Sequence, residues 1–202
     1  MGQKQKPCLL NPGGRNKGTS FVFLIIKQQQ QPVAIITNLV QIKEIATKKE
    51  PENDRFRIYL KQQDRNFIDS IVHALNDTIT PQIDCTACGN CCKSLMINVT
   101  TGEAEALATR LQLSLATVKE KYIEESEQGQ LIMNTIPCHF LSGSSCSIYE
   151  DRFTECREFP HLHKPHFTGR LFGIMMYYGM CPIIFNVVEQ LKLAVNFTVN
   201  EP

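Results

Sequence analysis

Apolar side chains recur at helical spacing in several stretches of this chain. Residues 33–48, "VAIITNLVQIKEIATK", carry Ile35, Ile36, Leu39, Val40, Ile42 and Ile45, close to one helical stripe, and Pro51 ends it. Residues 53–76 predict a second, longer helix through Phe56, Leu60, Phe67, Ile71 and Leu75, capped by Asn53 or Asp54. "DTITPQ" then closes it. "LMINVT" reads as a short strand. Thr100 or Thr101 opens a helix over "TGEAEALATRLQL", where Glu103 and Glu105 suit an N-terminus. Ser114 caps a further helix over "LSLATVKEKYIEE", whose charges form a solvated face. Gly129 interrupts the pattern and "QLIMNTI" is strand-like. Residues 137–160 read as a loop with short turns. "HFTGRLFGIMMYYGM" and "CPIIFNVVEQLKLAV" predict two closing helices, the second with Pro182 in its first turn.

The expected fold is therefore mainly α with short strands and cysteine-rich loops, a small α+β architecture whose cysteine loops are held between helices. Three segments are expected: a tail over 1–32, a helical segment over 33–80, and a cysteine-cluster domain over 81–195. The tail holds Lys4, Lys6, Arg15, Lys17 and Lys27 and no acid, then the run Gln28 to Gln31. Its apolar run Ser20 to Ile26 is short and is followed by "KQQQQP" instead of a small-residue cleavage site, which argues against a secretory signal. The segment reads as disordered, or as a start placed ahead of a stable chain that begins near Val33.

Composition narrows the function. A hydrophobic fraction of 43% and a charged fraction of 20% are ordinary for a soluble protein with a sizeable core. The net charge of +1 gives no strong field for nucleic acid or anionic lipid, and no basic stretch is interleaved with aromatics. No apolar run approaches the ~18 residues of a membrane span. The expected partners are metal ions, with neither nucleic acid nor membrane, and the expected compartment is the cytoplasm.

The chemistry lies in "DCTACGNCCKS", which places Cys85, Cys88, Cys91 and Cys92 within eight positions. Cys138, Cys146, Cys156 and Cys181 follow, and Cys8 stands apart in the tail. Disulfides, a redox pair or a metal would each explain such crowding. Disulfide scaffolds are short, secreted and richer in cysteine than this chain. The triplets "NDT", "NVT" and "NFT" weigh little against that, because sequons arise by chance. A thioredoxin-like pair needs one CxxC at a helix start in a βαβ setting, which is absent here. Metal fits best, because thiolates are soft ligands for zinc and for iron–sulfur clusters. The two-residue gap aims two sulfurs at one ion, and its repetition adds a third. Ferredoxins take three ligands from CxxCxxC and a fourth from a distant Cys-Pro, a form that Cys181-Pro182 has. The vicinal Cys91 and Cys92 diverge in helix and strand alike, which implies two nearby metals, or one ligand beside a structural thiol. Eight cysteines would complete two four-sulfur sites. The metal-binding expectation therefore covers Cys85, Cys88, Cys91, Cys92, Cys138, Cys146, Cys156 and Cys181, with zinc or an iron–sulfur cluster as the bound group and a metal-stabilised single domain as the result.

These residues, with "IPCHFLSGSSCSIYEDRFTECREFP", resemble the CxxCxxCC cysteine-cluster family, also called the YkgJ family. The family pattern is CxxCGxCC, then P-C-x-F-L, then C-x-I-Y-x-x-R-P-x-x-C-R-x-F-P and a final C-P. The match runs through Gly89, Pro137, Phe140, Leu141, Ile148, Tyr149, Arg152, Arg157, Phe159 and Pro160 as well as the cysteines, over residues 84–182. Phe153 stands where the pattern has proline. The resemblance implies a zinc- or iron-chelating domain. Related cysteine motifs occur in a flagellin lysine methylase, but no glycine-rich cofactor loop is present here.

Other residues have plainer readings. His139, His161, His163 and His166 lie near the late cysteines and are candidate ligands, with an exposed loop or loop-orienting hydrogen bonds as the simpler role. His73 sits on a predicted helix and reads as structural. Arg152 and Arg157 flank Cys156 and suit two roles equally: offsetting thiolate charge, or pairing with Glu150, Asp151, Glu155 or Glu158. Tyr149, Phe159, Phe172, Tyr177 and Tyr178 are expected to pack around the cluster. The leading function is a binding or structural role, and the rival is an iron–sulfur electron carrier or oxidoreductase component. No flavin, nicotinamide or radical-initiating motif and no Ser–His–Asp arrangement is seen, and no enzyme class is assigned.

Overall fold

The computed structural model describes residues 33–198; the expected tail, with Cys8 and the Ser20–Ile26 run, lies outside them. Two compact units divide the described chain: residues 85–159 form one, and residues 33–84 together with 160–198 form the other. The architecture is mainly α with few, short strands. Among the described residues no helix is long and apolar enough to cross a membrane.

The helical unit opens with an extended stretch, not with the helix expected from Val33. Asn186 explains this. Its buried amide accepts from the Ile36 N–H at 2.9 Å and donates to the Ile36 carbonyl at 2.8 Å, as a neighbouring strand would. Helix α1 (Leu39–Lys48) starts only after Asn38, whose side chain caps the Gln41 N–H at 3.0 Å. Helix α2 (Glu50–Lys61) follows after one residue, with Pro51 in its first turn, where proline has no lost hydrogen bond. The single helix expected over 53–76 is in fact two. Asp64 accepts from the Phe67 N–H at 2.8 Å and starts helix α3 (Arg65–Ile79) anew.

In the cysteine unit every element is short. Helices α4 (Cys85–Cys88) and α5 (Asn90–Ser94) carry the clustered cysteines, and strand β1 (Asn98–Val99) follows. Helix α6 (Thr101–Leu111) begins with a full capping box between Thr100 and Glu103. Helix α7 (Leu115–Tyr122) is capped by Ser114 and ends where strand β2 (Ile123–Glu125) begins. Strand β3 (Leu131–Met133) lies between β1 and β2, antiparallel to both. Strands β4 (Leu141–Ser142) and β5 (Ser145–Cys146) form a separate hairpin, and helix α8 (Thr154–Glu158) closes the unit. Its core is its own, with Ala104, Leu107, Val118, Met133, Phe140 and Phe153 among the buried members.

The chain then returns to the helical unit. One continuous helix is expected over 166–180. Instead a 3₁₀ turn (Phe167–Arg170) precedes helix α9 (Leu171–Met176). Buried Asp69 sets this start by accepting the N–H groups of His166 at 2.7 Å and Phe167 at 2.8 Å. Helix α10 (Pro182–Ala194) begins with Pro182 and packs on α3. Ile68, Ile71, Val72, Leu75 and Ile79 of α3 meet the apolar surface of α10, including Ile184, Val187, Val188 and Leu191. Each such side chain removed from water contributes about 1.5–3 kcal/mol, which makes this pair the backbone of the unit.

Candidate metal centre

Backbone bonds stitch the cysteine loops together. The Gly89 N–H closes α4 on the Cys85 carbonyl at 3.1 Å, and the chain turns at Gly89 with φ +57°. A side chain there would strain the backbone, and its Cβ would lie 2.3 Å from the Ser144 carbonyl oxygen. Glycine thus lets the β4–β5 hairpin seat directly against the CxxCxxCC turn. The Ser145 hydroxyl adds a bond to the Thr86 carbonyl at 3.2 Å. The Cys138 N–H donates to the Cys92 carbonyl at 2.9 Å, and the Leu141 N–H to the Cys138 carbonyl at 3.0 Å. Glu103 supports α8, and with it Cys156, by accepting from the Thr154 N–H at 2.6 Å. Glu155 accepts from the Asn98 side chain at 3.1 Å.

Four thiols share one neighbourhood. Cys138, Cys146 and Cys156 pack half-buried against the core of the unit. Burial, then the charges of Cys92, Cys138 and Cys146, push the Cys156 thiol up to about 12. Cys138 is raised by burial and then by Cys92 and Cys146, and Cys146 by burial and then by Cys92. Cys92 is raised most, through a hydrogen bond with the Cys91 thiol, then burial. The vicinal thiols therefore touch, although their positions on α5 would spread them apart. Two backbone groups work in the opposite sense: the Phe140 N–H donates to Cys138 Sγ and the Ile148 N–H to Cys146 Sγ, both favouring thiolate. The positive charge of Arg152 also favours thiolate at Cys92, Cys146 and Cys156.

All eight described cysteines are thiols, with no disulfide among them. Cys85 and Cys88 bound α4, and that helix packs on β5, which bears Cys146. Cys181 belongs to the helical unit, buried at the start of α10, where its N–H bonds the Tyr177 carbonyl at 2.9 Å. Among the described residues, no group of three or more His, Cys, Asp or Glu side chains stands at metal-holding geometry. The thiols are gathered without forming a closed cage. Their donor chemistry nonetheless fits a soft cation. Burial first, and mutual repulsion after it, keep protons on Cys138, Cys146 and Cys156, and a bound dication would reverse that balance by replacing those protons.

The neighbours sort themselves by contact. His139 is held by the Asn134 side chain at 2.8 Å and by the edge of the Tyr122 ring. His161, His163 and His166 lie in the helical unit, in a loop that Arg170 fastens through the carbonyls of His161, Lys164 and Pro165. His73 reaches the Lys164 carbonyl of the same loop at 3.4 Å. Arg157 donates to the Thr154 hydroxyl at 3.2 Å, and Asp151 pairs with Arg110 at 2.9 Å. Phe172, expected to pack, is 69% exposed beside Arg57. Phe153, in the family's proline position, has φ −56°, which proline also adopts, and its ring fills the core.

The cysteine unit is a small α+β fold with Cys138, Cys146 and Cys156 packed against its core. Residues 84–174 match the model of the CxxCxxCC family, described as "putative zinc- or iron-chelating domain". No curated protein and no solved structure matches the chain.

Proposed function

We propose that this chain chelates zinc or iron through cysteine thiolates, in a binding or structural role. The supporting observation is the set Cys92, Cys138, Cys146 and Cys156, in which Cys156 feels the charge of the other three, Cys138 that of Cys92 and Cys146, and Cys146 that of Cys92. Four thiolates complete a tetrahedral site and leave no coordination position for a substrate, which favours structure over catalysis. The full proposed ligand set also contains Cys85, Cys88, Cys91 and Cys181, the last carried by its Cys-Pro sequence alone. Thiols kept reduced suit the cytoplasm. A second reading, an iron–sulfur electron carrier or oxidoreductase component, is favoured by the ferredoxin-like triplet Cys85, Cys88 and Cys91.

Anaerobic purification followed by elemental analysis tests both. Stoichiometric zinc in a colourless protein is expected for a structural site, whereas iron with sulfide and visible absorption marks the electron carrier. Cys88→Ser and Cys146→Ser should each lose metal, and Cys8→Ser should not. Unchanged metal in the first two variants would sink the proposed ligand set.

A further inference from the structure

Gly89 stands where α4 ends and α5 begins, with a left-handed backbone. That conformation alone does not call for glycine in this chain. Gln112, His161, His166 and Asn196 adopt φ between +50° and +61° with full side chains. Gly129 and Gly143, also left-handed, have nothing within 4 Å of the place a Cβ would occupy. Gly89 differs from them, and the atoms it meets are backbone. Its Cβ would lie 2.3 Å from the Ser144 carbonyl oxygen and 2.9 Å from the Ser144 Cα. Ser144 is at the tip of the β4–β5 hairpin, where Ser142 pairs with Ser145 and Leu141 with Cys146, so it does not step aside as a flexible side chain would. The contact is flanked on both sides. Toward α4, the Ser145 hydroxyl donates to the Thr86 carbonyl. Toward α5, the Cys92 carbonyl accepts from the Cys138 N–H, and the Cys138 carbonyl from the Leu141 N–H that opens β4. The hairpin and its approach thus meet the CxxCxxCC turn at Thr86, Gly89 and Cys92, evenly spaced along it.

We infer that Gly89 is a positioning residue for the metal site: its missing side chain lets the hairpin tip reach the CxxCxxCC turn, and this seat sets the backbone of Cys146 against that of Cys88. This rests on the metal-binding reading above. Cys88 directly precedes Gly89, and Cys146 lies two residues past Ser144 on a strand that packs on α4. The magnitudes favour a large effect. Taking Ser144 from 2.3 Å out to an ordinary contact of 3.4 Å moves the hairpin by 1.1 Å. Metal–ligand distances tolerate only about 0.2 Å around their preferred value. A side chain at this position therefore shifts a ligand-bearing strand several times further than the bonds to a metal allow, without touching a ligand.

The test is zinc affinity of the full, reduced chain, measured anaerobically by competition with a chelator, with the cobalt-substituted spectrum reporting the thiolates bound. Gly89→Asn is the informative variant, because asparagine accepts a left-handed backbone yet carries the Cβ. It should weaken zinc by about 10–100-fold, the usual cost of losing a residue that supports metal ligands, and should lower the thiolate-to-cobalt absorption. Gly129→Ala is the control. It brings the strain of φ +78° to the same unit with open space around it, and should keep the wild-type affinity and spectrum. Unchanged far-UV circular dichroism separates the effect from misfolding. Should Gly89→Asn fail to fold, Ser145→Ala decides: the residue is exposed, and the variant removes only the hydroxyl bond to Thr86. It should lose about fivefold in zinc affinity, the worth of one hydrogen bond. Wild-type affinity in Gly89→Asn, or in Ser145→Ala where that variant decides, overturns the seat. Equal losses in Gly89→Asn and Gly129→Ala overturn it too, by reducing the effect to backbone strain. These results leave the metal reading standing. A wild-type chain that takes up neither zinc nor iron overturns the metal reading and this inference with it.

Discussion

The two units solve the problem of stability with different means. The helical unit buries long apolar faces, and α3 and α10 together contribute most of its core. One polar cluster in its interior is also paired from within. Lys192, 5% exposed, donates to Glu52 at 2.7 Å, Asn53 at 2.6 Å and Glu189 at 2.7 Å. Glu189 also pairs with Lys49 and accepts from the Tyr178 hydroxyl at 2.7 Å. These bonds, with burial opposing them, hold the Glu189 carboxyl below the usual carboxylate range. The cysteine unit has no helix longer than α6, strands of two or three residues, and thiols that resist ionisation together. One unit closes its electrostatic balance with its own side chains. The other holds thiols that burial and one another's charge keep protonated.

Metal removal should therefore separate the two most sharply. On the proposed reading, a chelator strips the cysteine unit of the bonds that join its loops. Amide hydrogen exchange over 85–159 should lose protection worth more than about 5 kcal/mol, since metal binding there is folding free energy. Amides of α3 and α10 should stay protected. Equal loss in both units would erase the contrast. The next largest effect is expected on the other side. Lys192→Met leaves Glu52, Asn53 and Glu189 without their common donor, and breaking a buried ion pair from one end costs about 3 kcal/mol or more. Urea unfolding should show that loss in the helical unit, while metal content stays at its wild-type value. A stable Lys192→Met protein would mean that the apolar core alone holds that unit.

The sequence reveals these two strategies unevenly. Periodicity along Ile68, Ile71, Val72 and Leu75 marks a helix because packing and pattern coincide there. Boundaries were less legible where a distant side chain sets them. Nothing local in "VAIITN" reveals that Asn186 will hold Ile36 extended, and nothing in "HFTGR" reveals that Asp69 will start a 3₁₀ turn. Asp64 did carry a readable signal, an N-cap type inside an apparently continuous stripe, but the stripe concealed it. At the cysteines, spacing marked the cluster, whereas the turn at Gly89 follows from its φ of +57°. The packing of Cys138, Cys146 and Cys156 against one core depends on how the loops fold, which spacing does not encode.

The smallest predicted effect concerns Glu103, a carboxylate that ties α6 to the cysteine-bearing α8. Its Oε2 accepts from the Thr100 N–H at 2.9 Å and the Thr100 hydroxyl at 2.8 Å, and its Oε1 from the Thr154 N–H. Burial alone would raise this carboxyl, but the hydrogen bonds from Thr154 and Thr100 outweigh it and hold the group below the usual carboxylate range. A carboxylate lowered in the folded state adds stability above its unfolded value and loses it as the pH falls through the folded one. The cysteine unit should thus weaken with acid over a window that opens at the ordinary glutamate range and closes below it. Glu103→Gln offers one acceptor oxygen where two backbone N–H groups need one each. It should cost about 1 kcal/mol at neutral pH, the usual scale of a lost cap. It should also flatten the acid dependence of exchange at Thr154 and in the first turn of α6. Acid dependence there that persists unchanged in the Gln variant would move the effect from Glu103 to another group.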